Sequence, residues 1–163
     1  LFIFFVLIFL WTRYNAFIKQ KNQVKTDLSD VEIQVKRKAD LIERLINITH
    51  EYASHEKGTL EGVTKARSAL NNASGAHATA QAENMLTDTL KSLFMVVEAH
   101  PQLKASENFM TLSKDLTETE NAIATYREEY NQTVKDYNNT IQTFPNLLAA
   151  KLFGFSDEEL FQS

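Results

Sequence analysis

Residues Phe109–Phe144, FMTLSKDLTETENAIATYREEYNQTVKDYNNTIQTF, decide the fold. Phe109, Leu112, Leu116, Thr119, Ile123, Tyr126, Tyr130, Thr133, Tyr137 and Phe144 follow steps of three and four, with only position 140 breaking the run. Such a stripe is the apolar seam of a long helix that crosses its neighbours at about 20° in a left-handed bundle. Ser106, with Glu107 and Asn108 behind it, is helix-start chemistry, and Pro145 closes the run.

The same pattern extends upstream. Tyr14, Leu28, Val35 and Ile42 occupy one register and Phe17, Val24, Val31, Leu45 and Tyr52 the other; Lys21, Lys38 and Thr49 are polar exceptions, and Ala39 and Ile46 widen the seam. No Gly or Pro precedes Gly58. A helix from Leu1 to about Lys57 would be on the order of 85 Å long. Gly58 and Gly62 mark a kink. Beyond it Leu60, Val63 and Leu70 keep helical spacing, so residues 59–73 either prolong the first helix or form a further one. Asn71–Ala80, NNASGAHATA, reads as a loop. Ala82, Leu86, Leu90, Leu93 and Val97 make another stripe, which ends at His100-Pro101. The expected fold is all-α: an antiparallel bundle of three or four long helices over residues 14–145.

Leu1–Trp11, LFIFFVLIFLW, is apolar throughout. A membrane span needs about twenty such residues, and a chain opening on Leu suggests that a longer apolar stretch is cut here. Residues 1–13 are therefore expected to be the C-terminal part of a transmembrane helix continuous with the bundle, with Leu1, Phe2, Phe4, Phe5, Leu7, Ile8, Leu10 and Trp11 in lipid. A signal peptide fits less well, because TRYNAFIKQK follows without a small-residue cleavage site. Trp11 and Tyr14 bracket Arg13 as an interfacial belt would. Arg13, Lys19, Lys21 and Lys25 all precede the first acid, Asp27, which places the bundle on the cytoplasmic side.

Composition removes most chemistry. The 163 residues hold four glycines and two prolines, against roughly eleven and eight in average usage, too few for turn-rich β folds. With no cysteine there is no disulfide framework and no thiolate site. A net charge of −4 gives no basic footprint for nucleic acid. Glu51 and His55 are four apart, but HEKGT lacks the second His of a zincin helix and leaves an exposed polar pair. The acid pairs Glu118/Glu120, Glu128/Glu129 and Glu158/Glu159 read as solvated faces, since residues so close on a helix point apart. No enzyme activity, cofactor or metal is expected. Tyr130-Asn131 and Tyr137-Asn138 lie one heptad apart, and their rings are expected in the seam rather than as a nucleotide-stacking platform.

Phenylalanine crowds both ends of the chain. Residues 146–163 form a tail whose start, NLLAAKLFGF, is too apolar for a solvated terminus. Leu147, Leu148, Leu152, Phe153 and Phe155 are expected to dock on an adjacent copy.

The segments RKADLIERL (Arg37–Leu45), YASHEKGTLEGVTKAR (Tyr52–Arg67), AENML (Ala82–Leu86), EAHPQLKASENF (Glu98–Phe109) and Leu116–Phe155 together resemble the LemA family of bacterial membrane-anchored proteins. Glu43 stands where that family usually has Pro, and His100 where it usually has Tyr. The resemblance implies a membrane helix, a helical domain and no established activity. The family also includes proteins of magnetosome membranes. Its charged and amide positions fall on Arg37, Asp40, His55, Glu56, Arg67, Glu98, Lys104, Asn108, Glu120, Asn121, Arg127 and Asn131, read as structural. The leading expectation is a single-pass protein of the bacterial inner membrane, a scaffold that self-associates into a larger homo-oligomer and organises membrane. The alternative is a monomeric tethered adaptor that recruits a soluble protein. Its expected partners are the lipid bilayer, further copies of itself and an unidentified protein, but not nucleic acid.

Overall fold

A computed structural model describes residues 1–162. Six helices follow in order: α1 (Phe2–Tyr52), α2 (Lys57–Asn72), α3 (Ala76–Glu98), α4 (Pro101–Lys104), α5 (Glu107–Gln142) and α6 (Asn146–Phe153). Among the described residues there is no strand. α1 is the continuous rod that the unbroken sequence implies, running from the apolar start into the bundle. α5 lies antiparallel along it: Gln20 donates to Thr140 at 3.2 Å, and Thr133 donates to Asp27 one step higher. The Ser106 hydroxyl accepts from the Phe109 N–H at 3.2 Å and caps α5.

The choice left open for residues 59–73 resolves as a separate helix. The break falls at Ala53–Glu56, ahead of the glycines, and Gly58 and Gly62 lie inside α2. The stretch 71–80 is not a loop. Asn71 and Asn72 finish α2, Ala76–Ala80 open α3, and Gly75 turns the chain at φ 85°. Small residues there permit a close α2–α3 turn, and Ala76, Thr79 and Ala80 are buried. α1, α2, α3 and α5 thus build a four-helix bundle, whose core runs through Ile42, Leu45, Val63, Leu86, Leu93, Leu103 and Ile123.

Four seam positions need correction. From Tyr130 onward the buried face of α5 is Tyr130, Val134, Tyr137 and Ile141, whereas Thr133 is half-buried and Phe144 is 79% exposed. An α-helix gains about 20° per heptad on a strict seven-residue repeat, so by the fifth heptad Val134 and Ile141 have rotated into the seam. On α1, Tyr14 and Tyr52 are exposed, while the polar exceptions Lys38 and Thr49 are buried. Thr49 satisfies its hydroxyl on the Leu45 carbonyl at 2.7 Å.

The α2–α3 hairpin is short. Arg67 on α2 reaches the Ala39 carbonyl and Glu43, and the α2–α3 turn lies beside Glu32, Val35 and Lys36. Below that height α1 and α5 have no further long helix beside them. The C-terminal segment fills this space: α6 packs on α1 and α5, and the chain after Gly154 climbs back along α5.

Candidate functional site

α5 carries the repeat Tyr130-Asn131 and Tyr137-Asn138, and the returning tail lies across it. Asn138 donates to the Glu158 carbonyl at 3.1 Å and accepts from the Glu158 N–H at 2.9 Å. One heptad on, Asn131 does the same to Phe161, at 3.0 and 2.8 Å. Each side-chain amide thereby completes the hydrogen bonding of one tail residue, as a neighbouring strand would. The spacing has a geometric cause. Seven helical residues rise about 10.5 Å, and three extended residues cover about 10 Å, so 131 and 138 meet 161 and 158 in register.

The tyrosines bind two further tail carbonyls. Tyr130 donates to Glu159 at 2.7 Å and Tyr137 to Ser156 at 3.2 Å. Burial, then the nearby Glu158 and Glu159 carboxylates, push the Tyr130 hydroxyl up to about 12; burial, then Glu158 and Asp157, raise Tyr137. Both hydroxyls therefore stay protonated, and donating, well into alkali. Gln142 holds the Asp157 side chain and Arg127 the Gln162 carbonyl. Phe161 is the fully buried side chain of the returning tail, edge-on to Tyr130 with ring centroids 5.2 Å apart and beneath the Arg127 guanidinium, and Leu160 packs half-buried against the core.

Arg127 also joins the tail to a charged core. Its other nitrogen lies 3.3 Å from Glu83, and Glu83 lies 3.6 Å from Lys38. Lys38 is 2% exposed and has a second carboxylate, Glu120, at 3.4 Å. Two bases and two acids from α1, α3 and α5 thus neutralise one another at the height where the tail ends. Of the family-type polar positions, Arg67, Glu98, Lys104, Glu120, Arg127 and Asn131 make the pairings described or an exposed ion pair (Glu98–Lys104, 2.8 Å). The sequence reading missed Lys38 and Glu83 as a pair, although a Lys in a seam register was the available signal. It also assigned Asn131 a structural role without its partner, which no local pattern reveals.

At the other end Leu1 to Ile8 are exposed, and α1 as a whole is, by length and composition, a candidate membrane-crossing helix. Trp11 is also exposed, and Leu10 is half-buried on the core. Of the proposed interface residues, Leu148 and Leu152 are 60% and 66% exposed, Phe153 is exposed beside Tyr14, and Leu147 is half-buried. Phe155 sits half-buried between Tyr14 and Phe17 of its own chain. Leu148, Leu152 and Phe153 therefore form the open apolar face, at the height of α1 where its apolar start ends. Glu51 and His55 fall on opposite sides of the α1 terminus, and among the described residues no three His, Asp or Glu converge as metal ligands.

Comparison with known proteins adds a lineage. The LemA family model matches residues 27–163. Magnetosome protein MamQ 1 and MamQ 2 of Paramagnetospirillum magneticum are each 26% identical to the chain, over 94% of it and 66% of their own length. Protein LemA of Metamycoplasma hominis is also 26% identical, over 91% of this chain and 74% of its own. The chain thus spans just under two thirds of the MamQ relatives.

Proposed function

The chain belongs to the LemA family, and from that premise we propose that it is a non-enzymatic, membrane-anchored helical scaffold whose copies associate side by side. One observation carries the reading: an exposed apolar helix start and the exposed face of α6 adjoin on the same end of the molecule. The first calls for lipid. The second, rimmed by Lys151 and Asn146, is an apolar patch of the kind that marks protein contacts. Leu148, Leu152 and Phe153 are assigned to a neighbouring copy, with Phe155 at the edge of that contact. A contact of this kind is heterologous, and its side-by-side repetition builds a ring, sheet or closed shell in the membrane plane, so the assembly can be large. Relatives named as magnetosome proteins support a role in organising membrane. Arg13, Lys19, Lys21 and Lys25 support a cytoplasmic bundle at the inner membrane.

A second reading, a monomeric adaptor for a soluble partner, draws on Met85 and Met95, exposed by 53% and 74% on α3. Flexible Met side chains suit adaptable contacts. Sedimentation of the detergent-extracted full chain separates the two. Assemblies that fall to monomers when residues after Pro145 are removed support the scaffold; monomers of the intact chain overturn it in favour of the adaptor.

A further inference from the structure

We propose that the α5 groove also takes the tail of a second copy of this chain, so that residues 158–162 are exchanged between neighbours while α6 stays on its own bundle. This rests on the self-association proposed above and names the element that makes it specific.

The groove reads main chain. Asn138, Asn131, Tyr130 and Arg127 bond to the backbone of Glu158, Phe161, Glu159 and Gln162, and of the side chains Phe161 is buried and Leu160 half-buried against the core. Any copy supplying that backbone with Phe161 in register makes the same bonds. At home the segment is also tied by the Glu158 carboxylate, 3.7 Å from Lys21 of α1, and by Leu160, half-buried against the core, but not by a main-chain ladder. Among the described residues, 156–162 make no backbone–backbone hydrogen bond, and the last such bond of the chain is Phe155 N–H to the Ala150 carbonyl at 2.9 Å. Gly154, at φ 74°, ends α6 and lets the chain turn there.

Residues 154–157 are the crossover. Fully extended, four residues reach about 13 Å, enough to pass between bundles in lateral contact. Anchoring matches the heights: copies held by the same helix start present each tail level with the neighbour's groove, and confinement to one plane raises their effective concentration. The bonds of 158–162 are the same at home and exchanged. A stretched crossover, however, gives up the Ser156 and Asp157 bonds to Tyr137 and Gln142 and the seat of Phe155 on Tyr14 and Phe17. The balance is set by what exchange adds against that loss. That addition is the Leu148–Leu152 face beside the crossover, which closes on the neighbour.

The absence of cysteine makes the test direct. Glu128 lines one cavity with Phe161, and Gln162 is exposed at the tail's end. Full-length chains carrying only Glu128→Cys or only Gln162→Cys are mixed during assembly in vesicles of phosphatidylethanolamine and phosphatidylglycerol and treated with a short bismaleimide. Exchange gives covalent dimers, lost when the Glu128→Cys chain also carries Asn131→Ala and Asn138→Ala. Two results overturn it: dimers that survive those changes, which report proximity alone, or no dimers while a chain with both cysteines links internally. Particle size of the same samples distinguishes the failures. Oligomers without cross-links leave the scaffold standing and remove exchange; monomers alone remove both.

Discussion

Lys38 meets Glu83 across the bundle at 3.6 Å, with both residues withdrawn from water. The pair is unequal, because Glu83 also holds Arg127 and Lys38 also reaches the half-exposed Glu120. Removing one partner of a buried pair costs about 3–5 kcal/mol, whereas an apolar pair of like volume is often neutral. Glu83→Leu, which takes the buried carboxylate from both Lys38 and Arg127 and leaves Lys38 only the half-exposed Glu120, should lower stability by about 3 kcal/mol. Lys38→Met, which leaves Glu83 its arginine, should cost about 1–2 kcal/mol. The double variant should lie nearer the parent than Glu83→Leu does. Urea midpoints of the three variants check this, and strictly additive losses would show that the pair is not coupled.

The clamp predicts a local effect distinct from a global one. Asn131→Ala and Asn138→Ala each remove a donor and an acceptor from a tail residue, at about 1–3 kcal/mol for a group left unpaired. Hydrogen exchange at the Phe161 amide should accelerate in the first variant and at Glu158 in the second, while amides of the buried Ile123 turn stay protected. Uniform acceleration along α5 would mean that these asparagines hold the helix rather than the tail.

Alkali offers a second handle on the same contact. The folded value of Tyr130, about 12, lies above its ordinary value of 10. A raised value means that the neutral form is favoured in the folded state, so its contribution is complete below pH 10 and is lost as pH climbs from 10 through 12. Lysines titrate in the same range, so the informative quantity is a difference between proteins. Between pH 9 and 12 the urea midpoint of the parent should fall further than that of Tyr130→Phe, whose ring still packs on Phe161 but cannot ionise. Parallel curves would remove the tyrosine from the account.

Periodicity carried most of the fold. Heptad stripes through 14–52 and 109–142, broken at only a few polar positions and by no Gly or Pro, require two long helices, and the turns at Ala53–Glu56 and Gly75 differ from expectation by only a few residues. Its limits are equally physical. The drift of a straight helix against a seven-residue repeat exchanged Thr133 and Phe144 for Val134 and Ile141. Lys38 sits in a seam register that hydropathy alone scores as a defect, and its burial depends on Glu83, 45 positions away. The tail contact escapes local pattern reading altogether. Asn131 and Asn138 are legible as a repeat, but their ligand is backbone, which has no residue-specific signature.

Ile123 is 1% exposed at the centre of the α5 seam and Glu128 is exposed one turn on. Ile123→Asp places an unpaired carboxylate among packed apolar groups and should cost several kcal/mol, on the scale of about 2–5 kcal/mol or more for core polar burial. Glu128→Ala should change stability by less than about 0.5 kcal/mol. Equal thermal midpoints for the two would place the seam on another face.

The single tryptophan reports on the membrane end. Trp11 is 68% exposed and closes the apolar start of α1, below Arg13 and Tyr14. An indole at this position belongs at the headgroup boundary, where its ring is apolar and its N–H wet. In vesicles its emission should shift to the blue and be quenched more by lipids brominated near the headgroup than by those brominated at the chain end. The fragment 14–163 keeps Phe17 and the whole buried core, so it should remain helical and melt close to the parent. It should also stay free of vesicles if the Leu148, Leu152 and Phe153 face is reserved for a neighbouring copy. Trp11 unquenched by either lipid would remove the anchor. Vesicle binding by the fragment would instead show that α6 lies on lipid, which removes the Leu148–Leu152 contact and with it the gain that favours exchange.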